Sequence, residues 1–156
     1  MTLSLIRFFN IIFAALLAGT SLGISLGFNP TNYSASAYVE LQQNLVRSLN
    51  TAMVVLVVIT TVITLVSAYL QRENKTVLIL LLFAAAFFIS CMFITRLGNV
   101  PIQVEMLKWT TDILPDNWII MRDKWWAFHI MRTVVEFIAL ILIAWTTAQI
   151  KTTKST

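Results

Sequence analysis

Three ionisable side chains sit where a soluble reading has no place for them. His129, Arg132 and Glu136 interrupt an otherwise apolar run, Trp126–Ala148. Spacings of three and four put them on one face of a helix. Ionisable groups inside a span cost from about 2.5 kcal/mol upward, so they face protein or water and mark function by default. Glu136 falls about 16 Å below Trp125 along a helix rising 1.5 Å per residue, which makes it the deepest acid, with Arg132 its nearest possible partner. A His–Arg–Glu cluster beneath a tryptophan rim could bind an acidic phenol or enol and take its proton. The plainer alternative is an Arg132–Glu136 ion pair, with His129 hydrogen-bonded near the surface.

A second polar group follows the third apolar run, at Arg96-Leu97-Gly98-Asn99-Val100-Pro101 and then Gln103. Proline disfavours helix at the residue before it and removes a backbone donor, so the span is expected to break there. Arg96, Asn99 and Gln103 are donors that would either cap the freed carbonyls or line a binding site.

The elements that must hold these groups are membrane helices. Of the 156 residues 58% are hydrophobic and 12% charged, with a mean hydropathy of +0.83, whereas ordinary soluble domains carry about a quarter charged residues. Spanning about 30 Å of hydrocarbon takes roughly 20 apolar residues of helix. Four stretches qualify: 8–28, 52–70, 77–94 and 126–148. Their unbroken apolar length, without inside–outside alternation, favours helices over a barrel. The expected fold is all-α, a polytopic four-helix bundle forming a single domain over residues 1–156. Ala35-Ser36-Ala37 fits a signal-peptidase pattern but lies too far beyond an overlong apolar run, so the first stretch is read as a retained span.

An even number of spans puts both termini on one side. That side carries Arg7, Arg72, Lys75, Lys151 and Lys154, and the other Arg47, Arg96, Lys108, Arg122 and Lys124. The totals tie, but short positive loops and tails favour cytoplasmic termini.

Gly19, Gly23 and Gly27, with Ala15, form a stripe at intervals of four that reads as a helix-packing seam or a smooth wall for a flat ligand. It permits a homo-oligomer as readily as an internal contact. Ala84–Ala86 and Ser90 are the expected matching patch. Thr60, Thr61, Thr64 and Ser67 can bond to their own helix or a neighbour. Residues 34–50 place Tyr38, Leu41, Leu45 and Leu49 at helical spacing, an amphipathic helix in the first loop. The third loop, 95–125, is partly helical and carries Trp109, Trp118 and Trp125, for which interface anchoring is the default role.

Gly98-Asn99-Val100-Pro101-Ile102, Trp109, Trp118, Arg122-Asp123-Lys124-Trp125 and Phe128-His129-Ile130-Met131-Arg132-Thr133 together resemble the anthrone-oxygenase-like family of small four-helix membrane proteins. Tyr38–Gln43 and Arg47-Ser48-Leu49-Asn50 match its first-loop pattern, and the order holds over the whole chain. Gln103 departs from the family's usual Asn, keeping the amide on a longer arm. The resemblance implies a bacterial inner-membrane protein whose fungal relatives take part in oxidising an anthrone to an anthraquinone. It also implies that Glu40, Gln43, Asn50, Asn99, Gln103, Trp125, His129 and Arg132 converge at the outer end of the bundle.

Two functions of different class follow. One is an oxygenase or redox enzyme on a flat phenolic or quinone-like substrate, with His129 or Glu40 as base and Arg132 holding the enolate. No cofactor is expected, since no nucleotide-binding glycine motif suggests a flavin. The other is a non-catalytic binder or small transporter of a lipid, quinone or metabolite, with proton coupling at Glu136. A haem would need His129 with Met131 or Met92, thin support for that reading. One Cys and one His rule out a disulfide framework and leave a zinc site little to use. The net charge of +4 reflects few acids rather than a basic cluster, so the expected partners are membrane lipid and a small apolar molecule, not nucleic acid.

Overall fold

A computed structural model describes residues 2–111 and 113–149; Asp112, Lys151 and Lys154 therefore lie outside the described residues. Five α-helices follow one another: α1 (Thr2–Gly27), α2 (Ala35–Leu70), α3 (Lys75–Ile94), α4 (Val100–Met106) and α5 (Trp118–Gln149). A 3-10 turn, Pro30–Asn32, links α1 to α2, and a π-helical segment, Thr95–Asn99, links α3 to α4. Four stretches are long and apolar enough to cross a membrane. They form an all-α bundle in which α5 packs on α1 and α3, and α2 packs on the same two helices.

The elements overrun the expected spans at the end remote from the start of α1. The first-loop helix is not a separate piece: Ser34 caps its start by accepting from the Ala37 N–H, and α2 then runs 36 residues without a break. Nothing between 35 and 70 interrupts it, since this stretch has neither proline nor glycine. Its inward face also differs from the expected one. Tyr38, Val39, Gln42 and Val46 are buried, Leu45 and Leu49 are half-buried and Leu41 faces out. Gln42 turns inward because it lies one helical turn beyond Tyr38.

Nor does the third span stop at Pro101. The Val100 N–H reaches back to the Thr95 carbonyl, a π-type bond that widens the turn. Proline then falls in the first turn of α4, where a missing N–H is tolerated. The helical path bends without ending.

The glycine stripe is the largest correction. Gly19, Gly23 and Gly27 are exposed, and a Cβ at any of them would meet nothing within 4 Å. The inward face of α1 is instead Asn10, Ala14, Leu17, Ala18 and Ser21. Asn10 decides this rotation, because its side-chain amide pairs with Thr64 Oγ1 on α2 at 2.7 Å. Turning α1 to bury glycine would leave that amide in lipid without a partner. Ala84 is buried in the main core with Leu17, Val57, Leu81, Phe88 and Ile143, and Ala85 is buried beside it in sequence. Thr60, Thr61 and Thr64 bond back to carbonyls four residues earlier, as their positions suggest.

Aromatic side chains close the remote end. Phe28, Tyr38, Trp109 and Trp125 are buried in one cluster, with Phe28 edge-on to Trp125 at 6.1 Å. Trp109 and Trp125 are thus core residues rather than interface anchors, with four loop and helix-end segments packed around them. Gln43 ties this cap together by donating to the Met106 and Trp109 carbonyls at 3.0 and 2.9 Å.

Candidate functional site

The polar face of α5 does turn inward. His129 and Glu136 have no exposed surface and Arg132 is 9% exposed. They do not, however, share one compartment. His129 packs against the rings of Trp125 and Trp126, with centroids 5.3 and 5.4 Å away, and the two indoles lie 6.3 Å from each other. Its Nε2 is 3.0 Å from Ser25 Oγ on α1. Ser25 already donates to the Ser21 carbonyl, so its oxygen is free to accept from the imidazole Nε2–H. Nδ1 is left without a partner.

Arg132 and Glu136 instead line a cavity of about 230 Å³ between α1, α2, α3 and α5. One wall is Leu17, Met53 and Val57, a second is Cys91 and Met92, and Asn50, Thr95 and Arg96 surround the upper end. The Glu136 carboxylate accepts from the Cys91 thiol through Oε1 at 3.1 Å, while Oε2 has no partner. The expected Arg132–Glu136 ion pair is not formed. Among the described residues the ion pairs are Arg72–Glu73, Glu105–Lys108 and Arg122–Asp123. Arg132 also makes no side-chain hydrogen bond among them, and its Nε is buried without an acceptor. Glu136 lines the same cavity without touching Arg132, so the guanidinium is desolvated with only a remote counter-charge, an unfavourable arrangement. It is the strongest chemical feature of the site.

A narrow annex of about 20 Å³ opens above Arg132, lined by Asn50, Gln103 and Trp125 among others. Gln103 Oε1 and Trp125 Nε1 are buried there without partners. This volume holds about one water and no ring.

The remaining expected site residues lie elsewhere. Glu40 is exposed, because the inward positions around it are taken by Tyr38, Val39 and Gln42. Gln43 is committed to the loop carbonyls. Asn99 is buried but donates to the Trp125 carbonyl at 3.0 Å, fixing the π-helical segment against α5 and lining neither space. Arg96 is exposed at the cavity rim and caps no carbonyl among the described residues. Sequence reasoning passed over Cys91, Ser25 and Gln42. Gln42 is 1% exposed with neither amide atom partnered. Only the spacing of Gln42 from Tyr38, and of Cys91 from Ala84, hinted at their inward positions. Among the described residues no three His, Cys, Asp or Glu side chains gather as a metal cage.

A four-helix membrane bundle that encloses unpaired charge defines the class. Within that class, the family model for anthrone oxygenase matches residues 42–142, about two thirds of the chain, and the protein belongs to this family. No match emerged among curated proteins or among solved structures.

Proposed function

We propose that the protein is a membrane oxygenase that oxidises a flat, acidic ring compound of the anthrone kind held in the cavity. Glu136 takes the proton and Arg132 holds the enolate. The observation that carries this reading is the buried, unpaired Arg132 guanidinium facing a cavity that also contains a free carboxylate oxygen. An enolate supplies the missing negative charge, and its stabilisation in a site shielded from water is worth more than in solution. His129 and Glu40 do not line this space, so the proton is assigned to Glu136.

The chemistry balances without a further reductant. Loss of a proton from the ring CH₂ gives a carbanion, which passes one electron to dioxygen. Recombination gives a hydroperoxide, and loss of water leaves a carbonyl. One oxygen atom enters the product and the other leaves as water. The volume suits part of such a substrate: an apolar cavity of about 150 Å³ holds benzene, and drug-sized ligands occupy about 300 Å³ or more. A three-ring compound would therefore leave one ring in the cavity mouth.

Oxygen uptake by the protein in nanodiscs, with anthrone as substrate, tests this. One dioxygen should be consumed per quinone formed, above the uncatalysed rate. Glu136→Gln and Arg132→Gln should each slow turnover by about 100-fold or more, the scale of a lost general base or oxyanion donor. Uptake no faster than in empty nanodiscs defeats the oxygenase reading. Binding without turnover that is lost in Arg132→Gln would identify a binder or carrier instead.

A further inference from the structure

The cavity walls pass from fully enclosed to lipid-exposed. Leu17 and Glu136 on the inner side are 1% and 0% exposed, whereas Val54 and Val58 on the α2 side are each 46% exposed. These valines belong to the uncharged apolar run of α2, so the opening lies at hydrocarbon depth. The annex beside Arg132, about 20 Å³, has room for water but not for a ring, so it offers a ring no path.

Arg96, exposed, lines the same cavity as Val54 and Val58. It follows the third apolar run, and among the described residues its guanidinium has neither an ion pair nor a hydrogen bond, and no acid lines the mouth. A guanidinium on a membrane-facing segment places its head at the polar boundary and needs an anion there. With Arg132 inside and Glu136 the single acid lining the cavity, the space carries an excess of positive charge, which favours anionic guests.

We infer that ring compounds enter the cavity sideways from the bilayer, between α2 and α3, and that Arg96 selects those carrying an acidic group, an ionised phenol or a carboxylate. This rests on the cavity being the substrate site, as proposed above. It adds a specificity-determining residue and a route. The acid meets Arg96 at the mouth while the reacting ring lies further in, against Arg132 and Glu136.

Binding of an anthraquinone carboxylate and of unsubstituted anthraquinone, to protein in phosphatidylcholine nanodiscs, is read from quenching of tryptophan fluorescence. The carboxylate should bind about tenfold tighter, the scale of one charge-assisted hydrogen bond. Arg96→Gln should abolish that preference, and Arg132→Gln should weaken both probes. Joint Val54→Phe and Val58→Phe substitution, at exposed positions that the fold tolerates, should slow association of both about tenfold. A preference that survives in Arg96→Gln overturns the selection. So does its loss on adding phosphatidylglycerol, which would make Arg96 a lipid-headgroup contact. Unchanged association in the double phenylalanine variant overturns the route. Failure of both probes to bind wild type removes the cavity as a site altogether, and the inference with it. An Arg96-dependent preference without turnover would defeat only the oxygenase chemistry.

Discussion

His129 shows how a residue type can announce chemistry and then be used otherwise. Its ring is stacked by two tryptophans of its own helix and tied to Ser25 across the α1–α5 contact, an arrangement that orients α1 and excludes water. The expected result of His129→Phe is therefore structural. The stack is kept, the Ser25 bond is lost, and stability in detergent falls by about 1 kcal/mol, the worth of one interhelical hydrogen bond. Turnover and probe binding should stay within a few-fold of wild type. A loss as deep as that of Glu136→Gln would return His129 to the proton-transfer step. Arg132 is the contrary case, since its side chain is buried without the partner that the sequence offers four residues away.

At the scale of elements, the π-helical segment decides which residues reach the cavity. By adding a residue to the turn it brings Arg96 to the rim, while Asn99 is tied to Trp125 and Gly98 is pressed against α5. A Cβ on Gly98 would fall 2.6 Å from Phe128 Cγ, too close for any side chain. Gly98→Ala should push the segment off α5 and cost about 1–3 kcal/mol, as overpacking does. Thermal unfolding followed by far-ultraviolet circular dichroism would measure it, and an unchanged midpoint would show that the contact yields freely. Existence of the four apolar helices was legible from length and composition alone. Their phases were not, because lipid-facing and buried surfaces are both apolar. The polar residues that fix rotation, Asn10 with Thr64 and Ser25 with His129, act in pairs more than 50 residues apart. The π turn was equally hidden, since proline signals a break without saying how the backbone absorbs it.

For the whole molecule, the rotation of α1 leaves a band of three glycines on the outside. Gly23→Leu should not harm the folded monomer, and replacing glycine within a helix should stabilise it by up to about 1 kcal/mol. Destabilisation of that size or more, measured by denaturant titration in detergent, would mean that another surface covers the band. The candidate site was half legible. Arg132 and Glu136 were found from intramembrane charge, Gln103 from its place beside the Pro101 break, and Asn50 through the family pattern. Glu40 and Gln43 were assigned with them because a pattern of residues in a loop does not say which way each one points.

The length of α2 has a consequence for how the molecule meets its surroundings. A continuous rod of 36 residues measures about 54 Å, and a hydrocarbon slab takes up about 30 Å of it. With α4, the aromatic lid and the start of α5 gathered against its protruding part, the bundle wears a turret on one leaflet, while the four-residue link between α2 and α3 barely clears the other. Antibodies and soluble partner proteins meet a rigid, raised surface on the turret side.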